Sequence, residues 1–219
     1  MTALAKSCKT IQKRVVASDV FYTPVEVVQG AIDMVSGSIL LYSNVADFDG
    51  YTIDRVTWYD PFKGLGAYYN EYPTEIDTID CYKDWAEIVL GKDFWKYNPD
   101  HWEDSYRGDI KTNLKVICSN PPYSVLNSVI SRCIELDADI INLTIGCMNL
   151  TRPRVDRLEK AGYKMTKMTV CDVKGWFGMT NIVQFEKQTI MGCFDNKINE
   201  FNFLKREDGK AFEYVPPEL

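Results

Sequence analysis

An α/β layer fold with a mostly parallel central sheet, closed by a C-terminal antiparallel hairpin, is what this 219-residue sequence predicts. Three observations predict it. Short apolar runs alternate with stretches of helical periodicity. Two of those runs stop at turn-forming motifs, Asp60-Pro61-Phe62-Lys63-Gly64-Leu65-Gly66 and Asn120-Pro121-Pro122-Tyr123. The last two runs, 164–171 and 181–186, follow one another across a Gly-containing link without a helical stretch between them.

Thr23 is a good N-cap, Pro24 suits the first helical position and Glu26 completes a capping box, so a helix is expected to begin there. Val27, Val28, Ala31, Ile32 and Val35 share one face of it. The polar, Gly-containing stretch 36–51 is less regular and predicts no element. Arg55–Tyr59 reads as a strand running into the glycine motif, and Leu114–Cys118 as a strand ending at Ser119 and the tetrad. A helix follows Ser124, with Leu126, Val129, Ile130, Cys133 and Ile134 at buried-stripe spacing. Asp139–Ile145 is a buried strand, and Arg152–Ala161 a helix stopped by Gly162. In such sheets ligands bind beyond the carboxyl ends of the strands, where both motifs fall.

The composition, 46% hydrophobic and 26% charged, suits one domain with a full core. No apolar run approaches the roughly 18 residues of a membrane span. The first 14 residues carry Lys6, Lys9, Lys13 and Arg14 without the apolar centre of a secretory signal. Seven cysteines, without C-x-x-C pairs, indicate reduced thiols and a cytoplasmic protein, and no metal site is expected. A single histidine, His101, disfavours His-based nucleophilic catalysis. The net charge of -6 is unlike that of a protein that grips nucleic acid over a broad surface, so any such contact must be local. Two segments are basic enough: the N-terminal stretch, and 152–167 with Arg152, Arg154, Arg157, Lys160, Lys164 and Lys167.

The glycine motif lacks the spacing of a dinucleotide or phosphate loop, so its ligand need not carry phosphate. The tetrad suits a particular chemistry. Methylating an exocyclic amine requires localising a nitrogen lone pair that is delocalised into a ring. Two acceptors aimed at the amino hydrogens do this: the Asn120 side-chain carbonyl and the Pro121 main-chain carbonyl. Consecutive prolines fix φ and offer no competing N–H. Tyr123 can stack on a planar base brought out of a duplex.

Taken in order, these segments resemble the γ-type arrangement of the amino-methyltransferase family with an Asn-Pro-Pro-Tyr motif, especially small phage- and virus-type N6-adenine DNA methyltransferases. The resemblance implies a Rossmann-like S-adenosylmethionine-dependent methyltransferase fold. Phe21-Tyr22-Thr23-Pro24 is similar to the family's N-terminal motif, which implies that Tyr22, Thr23 and Pro24 hold the methionine moiety. The glycine motif is similar to the cofactor loop, with Asp60 meeting the methionine amino group and Pro61, Phe62, Gly64 and Gly66 lining the site. The stretch from Trp85 to Phe94 implies Glu87 on the ribose hydroxyls and Asp93 with Phe94 at the cofactor adenine; Asp80 is the alternative ribose carboxylate. Asn120, Pro121, Pro122 and Tyr123 are the implied catalytic residues, with Asn120 also touching cofactor. Gly175-Trp176-Phe177-Gly178 resembles the aromatic motif behind the flipped base, with Phe177 as its wall. Lys63 receives no role.

The expected organisation is a basic arm over 1–20, a methyltransferase domain over 21–189 and an extension over 190–219. Adenine N6 of DNA is the leading substrate. RNA, a protein glutamine amide, or a non-catalytic nucleic-acid-binding partner subunit are alternatives. No segment is long enough for a large target-recognition domain; 36–54, the 98–112 loop with His101, Trp102 and Arg107, and the tail from Ile190 are the candidates. A partner subunit or homodimer is therefore open, and no membrane partner is expected.

Overall fold

A computed structural model describes residues 22–48, 52–87, 92–107, 110–174, 176, 179–188, 200–204 and 206–213. The expectations placed on the arm 1–20, on Phe21 and on Phe177 lie outside these residues.

The described strands are β1 (Arg55–Asp60), β2 (Glu75–Ile76), β3 (Ile79–Trp85), β4 (Tyr106–Arg107), β5 (Ile110–Lys111), β6 (Asn113–Ser119), β7 (Ile140–Gly146), β8 (Tyr163–Cys171), β9 (Thr180–Lys187) and β10 (Glu200–Phe203). The helices are α1 (Val25–Phe48), α2 (Ala67–Glu71), α3 (Leu126–Glu135) and α4 (Arg152–Lys160). Eight strands form one sheet in the order β10-β8-β9-β7-β6-β1-β3-β2, and β4 and β5 form a separate hairpin. β3, β1, β6 and β7 pair in parallel. β9 inserts antiparallel between β7 and β8, which is the expected closing hairpin. β10, from the segment expected as a C-terminal extension, adds in parallel to β8 as an edge of the same sheet.

The strands around the centre are buried on both faces, as parallel strands covered by helices must be. Val56, Trp58, Leu114, Val116, Cys118, Ile140 and Ile182 face one layer with α1. Tyr59, Ile117, Ile141, Leu143, Val183 and Phe185 face the other, with α3. The alternation follows from the period of 2 along each strand.

α1 differs from expectation at both ends. Its first carbonyl acceptor is Pro24, which receives the Val27 and Val28 amides (both 3.1 Å), so the helix starts at Val25, one residue later than expected. It also runs on through 36–48, because Ser38, Ile39 and Tyr42 continue the buried stripe of Val27, Val28, Ala31, Ile32 and Val35. Gly30 lies where Leu204 crosses the helix; a Cβ there would stand 3.1 Å from Leu204 Cδ2. The window Val25–Asn44 is long and apolar enough to cross a membrane by length and composition. In this fold its apolar stripe is the inner layer of the sandwich.

The polar members of that stripe answer a buried carboxylate. Glu186 of β9 is buried under α1 and accepts from Ser38 Oγ (2.7 Å), the Tyr42 hydroxyl and Gln184 Nε2. Asn142 extends the chain by donating to Gln184 Oε1 (3.1 Å). Removing one donor leaves part of a buried carboxylate unsatisfied, which costs about 1–3 kcal/mol. Tyr42→Phe is expected to lower the unfolding free energy by about that amount in urea titrations with an unchanged m-value, whereas Leu40→Ala, an exposed change on the same helix, is expected to stay within about 0.5 kcal/mol.

Candidate active site

The sheet order reverses direction between β1 and β6. From β1 the chain moves outward to β3 on one side and returns to β6 on the other. That reversal opens a crevice at the carboxyl ends of the two strands, where ligands of open α/β sheets bind. Asp60 ends β1 and Ser119 ends β6.

Asp60 is buried, and Ser119 Oγ donates to its Oδ1 at 2.7 Å. The Phe62 amide donates to the same oxygen at 3.2 Å, and Oδ2 is buried without a hydrogen bond of ordinary geometry. Burial pushes the Asp60 carboxyl up to about 6, even though the Ser119 hydroxyl and the Phe62 and Tyr69 amides pull it down. A carboxylate held this way is suited to a cationic partner, which would relieve the burial cost.

The glycine loop wraps around this group. Gly64 and Gly66 both have positive φ (51° and 86°), the conformation that favours glycine. The Gly66 amide donates to Lys63 O at 2.6 Å, and a Cβ on Gly66 would meet the Asn70 amide at 2.9 Å. The loop is fastened to the end of β3: Lys63 N donates to Ala86 O, Ala86 N donates to Asp60 O, and Gly64 N donates to Glu87 Oε2 at 3.0 Å. Lys63, which carried no role in the sequence, places its ammonium over the Tyr69 and Trp85 rings at 4.4 and 4.3 Å. It therefore clamps the loop to β3 by cation–π contact.

Glu87 lies just beyond the carboxyl end of β3, beside the glycine loop. Asp80 lies at the other end of the same strand, paired with Arg55, the first residue of β1. Of the two carboxylates, only Glu87 is at the crevice. Asp93 follows the bridge between Glu87 and Lys92; its Oδ1 accepts from Trp95 N at 3.0 Å and its Oδ2 faces Lys96 Nζ at 3.3 Å. Phe94 is fully buried against Phe62 (ring centroids 5.2 Å) and Tyr59 (6.1 Å), so it supports the loop from behind.

The tetrad is joined to the start of α1 across the crevice. Asn120 Nδ2 donates to Thr23 Oγ1 at 3.2 Å, and Thr23 and Pro24 are buried while Tyr22 is exposed. This hydroxyl was expected to cap a helix; it is instead a tether for the Asn120 amide. In this bond the Asn120 amide nitrogen is the donor, which leaves Oδ1 as the acceptor atom of the side chain. The Pro122 carbonyl accepts from Val125 N (3.3 Å), whereas the Pro121 carbonyl accepts no hydrogen bond among the described residues. Tyr123 packs its ring toward Gly146 at the end of β7, where a Cβ would lie 3.6 Å from Cε2. Burial pushes its hydroxyl up, so it serves as a neutral ring.

No family model and no curated relative matches this chain. Among solved structures, a protein from Listeria monocytogenes assigned as a class I S-adenosylmethionine-dependent methyltransferase superposes with a TM-score of 0.54 at 10% identity, over 91% of this chain and 71% of that one. This chain has the class I methyltransferase fold. Precorrin-6y C5,15-methyltransferase from Geobacter metallireducens is also similar, at a TM-score of 0.39 and 12% identity over 70% of this chain and 88% of that one. At 10% identity the likeness is one of fold, and the site rests on the geometry above.

Within the methyltransferase fold two expectations change. The 98–112 loop was a candidate for target recognition, yet Trp102 packs on Tyr59 (5.8 Å) and donates Nε1–H to Leu136 O at 2.7 Å. The aromatic is used in covering the sheet. The basic run 152–167 is also divided: Lys167 is buried beneath α1, donating to Met34 O at 3.1 Å, while Arg154 and Arg157 bond to Asn127 of α3. Sequence reasoning missed Ser119 and Asp84. Ser119 could have been found, since a hydroxyl residue directly before the tetrad at a strand end is placed to serve a neighbouring strand. Asp84 could not. Burial alone would raise its pKa, but the Asp100 and Trp85 amides, the Tyr97 hydroxyl and Lys92 hold it below the usual carboxylate range, and these partners are remote in sequence or masked by turn geometry.

Asp60 gives the free protein a pH signature. Its folded pKa lies above its unfolded value near 4, so the folded state holds the proton more tightly. The contribution is neutral below about pH 4 and grows unfavourable as pH rises through about 6, reaching about 3 kcal/mol above pH 7. Thermal melts of Asp60→Asn against the wild type should show a Tm difference that shifts in favour of the variant between pH 4 and 7.5. A difference independent of pH would mean that Asp60 does not titrate in this window.

Proposed function

We propose that this chain is an S-adenosylmethionine-dependent methyltransferase that transfers a methyl group to the exocyclic N6 amino group of adenine in DNA. The observation that carries the reading is the junction at the crevice. Asp60 and the glycine loop stand on one side, the Asn120–Tyr123 tetrad on the other, joined by the Ser119–Asp60 bond and anchored by Asn120–Thr23.

The residues present fit the cofactor. Asp60 offers a buried carboxylate with an oxygen lacking an ordinary hydrogen bond, suited to a methionine ammonium group. Tyr22, Thr23 and Pro24 come to the crevice through the Asn120–Thr23 bond, and Gly64 and Gly66 give the loop its positive-φ turns beside Asp60. Glu87 is the carboxylate positioned for ribose hydroxyls, Pro61, Phe62 and Asp93 adjoin it, and Phe94 backs Phe62 from within the core. When bound, the cofactor supplies an electrophilic sulfonium methyl group.

The chain's own residues do the rest. Asn120 Oδ1 and the Pro121 carbonyl accept the two amino hydrogens, so the nitrogen lone pair is localised as positive charge develops there. Pro121 and Pro122 hold those acceptors rigid, and the Thr23 tether fixes which end of the Asn120 amide is offered. Tyr123, kept neutral by burial, stacks on the base. No strong base is needed, because the proton leaves from an already cationic nitrogen to solvent water. The acceptor pair supports a planar amine as the methyl acceptor; the choice of DNA adenine rests on the order of the sequence motifs.

Labelled methyl transfer to DNA, RNA and protein in parallel, followed by nucleoside digestion and mass spectrometry, tests the substrate. N6-methyladenine in DNA is expected; label confined to RNA or protein would overturn the DNA assignment. Asn120→Ala should reduce turnover by about 10²-fold or more while calorimetric cofactor affinity changes less than about threefold. Glu87→Ala should weaken cofactor binding by about tenfold, and Asp80→Ala by less than about twofold; the reverse order would remove Glu87 from the cofactor site.

A further inference from the structure

The cleft has a lip on the Tyr123 side that the chemistry above does not use. Tyr123 packs toward Gly146, and two residues further on, in the 3-10 turn Cys147–Asn149, Met148 is 83% exposed. The Cys147 amide donates to Met179 O at 2.9 Å, which brings Met179, 46% exposed, to the same rim. Two flexible, polarizable side chains are thus held in water at the mouth of the site, where burial elsewhere would have been favourable.

The turn that carries Met148 is not loose. Arg154 Nη1 donates to Asn149 O at 2.6 Å and to Asn149 Oδ1 at 3.2 Å, and its Nε donates to Asn127 Oδ1 at 2.9 Å. Arg157 adds a bond to Asn127 O at 2.8 Å. α4 is thereby fixed to α3 and its first turn is presented at the carboxyl edge of the sheet, the edge that carries the tetrad. Arg152, in that first turn, is exposed and, among the described residues, pairs with Asp156 of its own helix. Such a surface pair is worth little, so the guanidinium can exchange its partner readily. Along α4 four cations, Arg152, Arg154, Arg157 and Lys160, face two carboxylates, Asp156 and Glu159, in a chain whose net charge is -6.

We infer that this lip docks the polynucleotide strand flanking the target base, with Met148 packed against the neighbouring base and Arg152 on a flanking phosphate. The inference rests on the adenine-methyltransferase reading and names the surface that reading lacked. Continuity with the tetrad and local positive charge select a strand as the occupant: apolar contact beside an active site is what an unstacked duplex step requires, and arginine suits its phosphates. It also removes the difficulty of an acidic protein acting on a polyanion, since contact is confined to one helix start and one turn.

The experiment is methyl transfer by the full chain to a short adenine-containing duplex. Met148→Ala is expected to lower kcat/KM by tenfold or more, mainly through KM. Replacing the base beside the target by an abasic site should cost the wild type a similar factor and the variant little further. Arg152→Gln should reduce the slope of log(1/KM) against log[salt] by about one. Calorimetric cofactor affinity of both variants should remain within about twofold of wild type, which shows that they fold. If the wild type methylates the duplex and both variants match it at every salt concentration, the lip is wrong and the adenine reading stands. If the wild type binds cofactor but methylates no adenine-containing strand, the adenine reading fails and the lip with it.

Discussion

Burying the Asp60 carboxylate at the end of β1 obliges its surroundings to take one arrangement, because a carboxylate removed from water must find donors. Ser119 supplies one, and in doing so fixes the end of β6 against the end of β1. The Phe62 amide supplies another, and this sets the first turn of the glycine loop. The residue after Ser119 is Asn120, so the same strand end that serves Asp60 also delivers the tetrad, and Asn120 in turn holds the start of α1 through Thr23. The glycine loop, the tetrad and the start of α1 therefore meet through two hydrogen bonds in adjacent residues. The arrangement explains why the site sits at the switch point: only there do two neighbouring parallel strands end beside each other with their connections leaving in opposite directions.

The two edges of the sheet use charge differently. At the amino edge, Lys111, Lys115 and Lys187 pair with Asp104, Asp137 and Asp139, a set that fixes the starts of β6 and β7 and the end of β9. Asp139 is raised by burial despite the two lysines, and its Oδ2 accepts the Lys115 amide at 2.8 Å, as a structural group does. At the carboxyl edge Asp60 has hydroxyl and amide donors and, among the described residues, no cation. A carboxylate with a built-in lysine has its partner already; one satisfied only by neutral donors has room for a cationic ligand. Asp80, on the amino edge, belongs with neither.

The sequence revealed the strands and helices that carry strong apolar periodicity. β1, β6, β7, β8, β9, α3 and α4 each fall within about one residue of their expected bounds. What it concealed had local reasons. β3, Ile79–Trp85, alternates poorly because Asp84 is a buried polar residue and Tyr82 and Lys83 are exposed near an edge. The second half of α1 looked irregular because Ser38 and Gly37 interrupt its hydrophobicity; Ser38 is there for Glu186, 148 positions away. β10 is exposed along its whole length and has no core pattern to read. The site divides in the same way. The tetrad and glycine motif are contiguous, so local sequence shows them. Their relation to Ser119 and Thr23, the choice between Glu87 and Asp80, and the clamp made by Lys63 depend on strand register and direction, which no local pattern encodes.

Net charge was the strongest argument in the sequence against a polyanionic substrate, and the fold reduces its force. Charge acts over roughly 8–10 Å at physiological salt, so a total summed over a 219-residue chain says little about one rim of one cleft. The lysine–aspartate set at the amino edge is locally balanced and contributes little field elsewhere. α4 begins at the carboxyl edge with Arg152 and Arg154, and Arg154 is fixed by hydrogen bonds that leave the helix start rigid. A polynucleotide docked as proposed would meet positive charge first and the tetrad next. The contiguous run of cations that the sequence displays is broken by the fold, with Lys167 turned inward to Met34; the part of it that remains at the cleft is the part a substrate would touch.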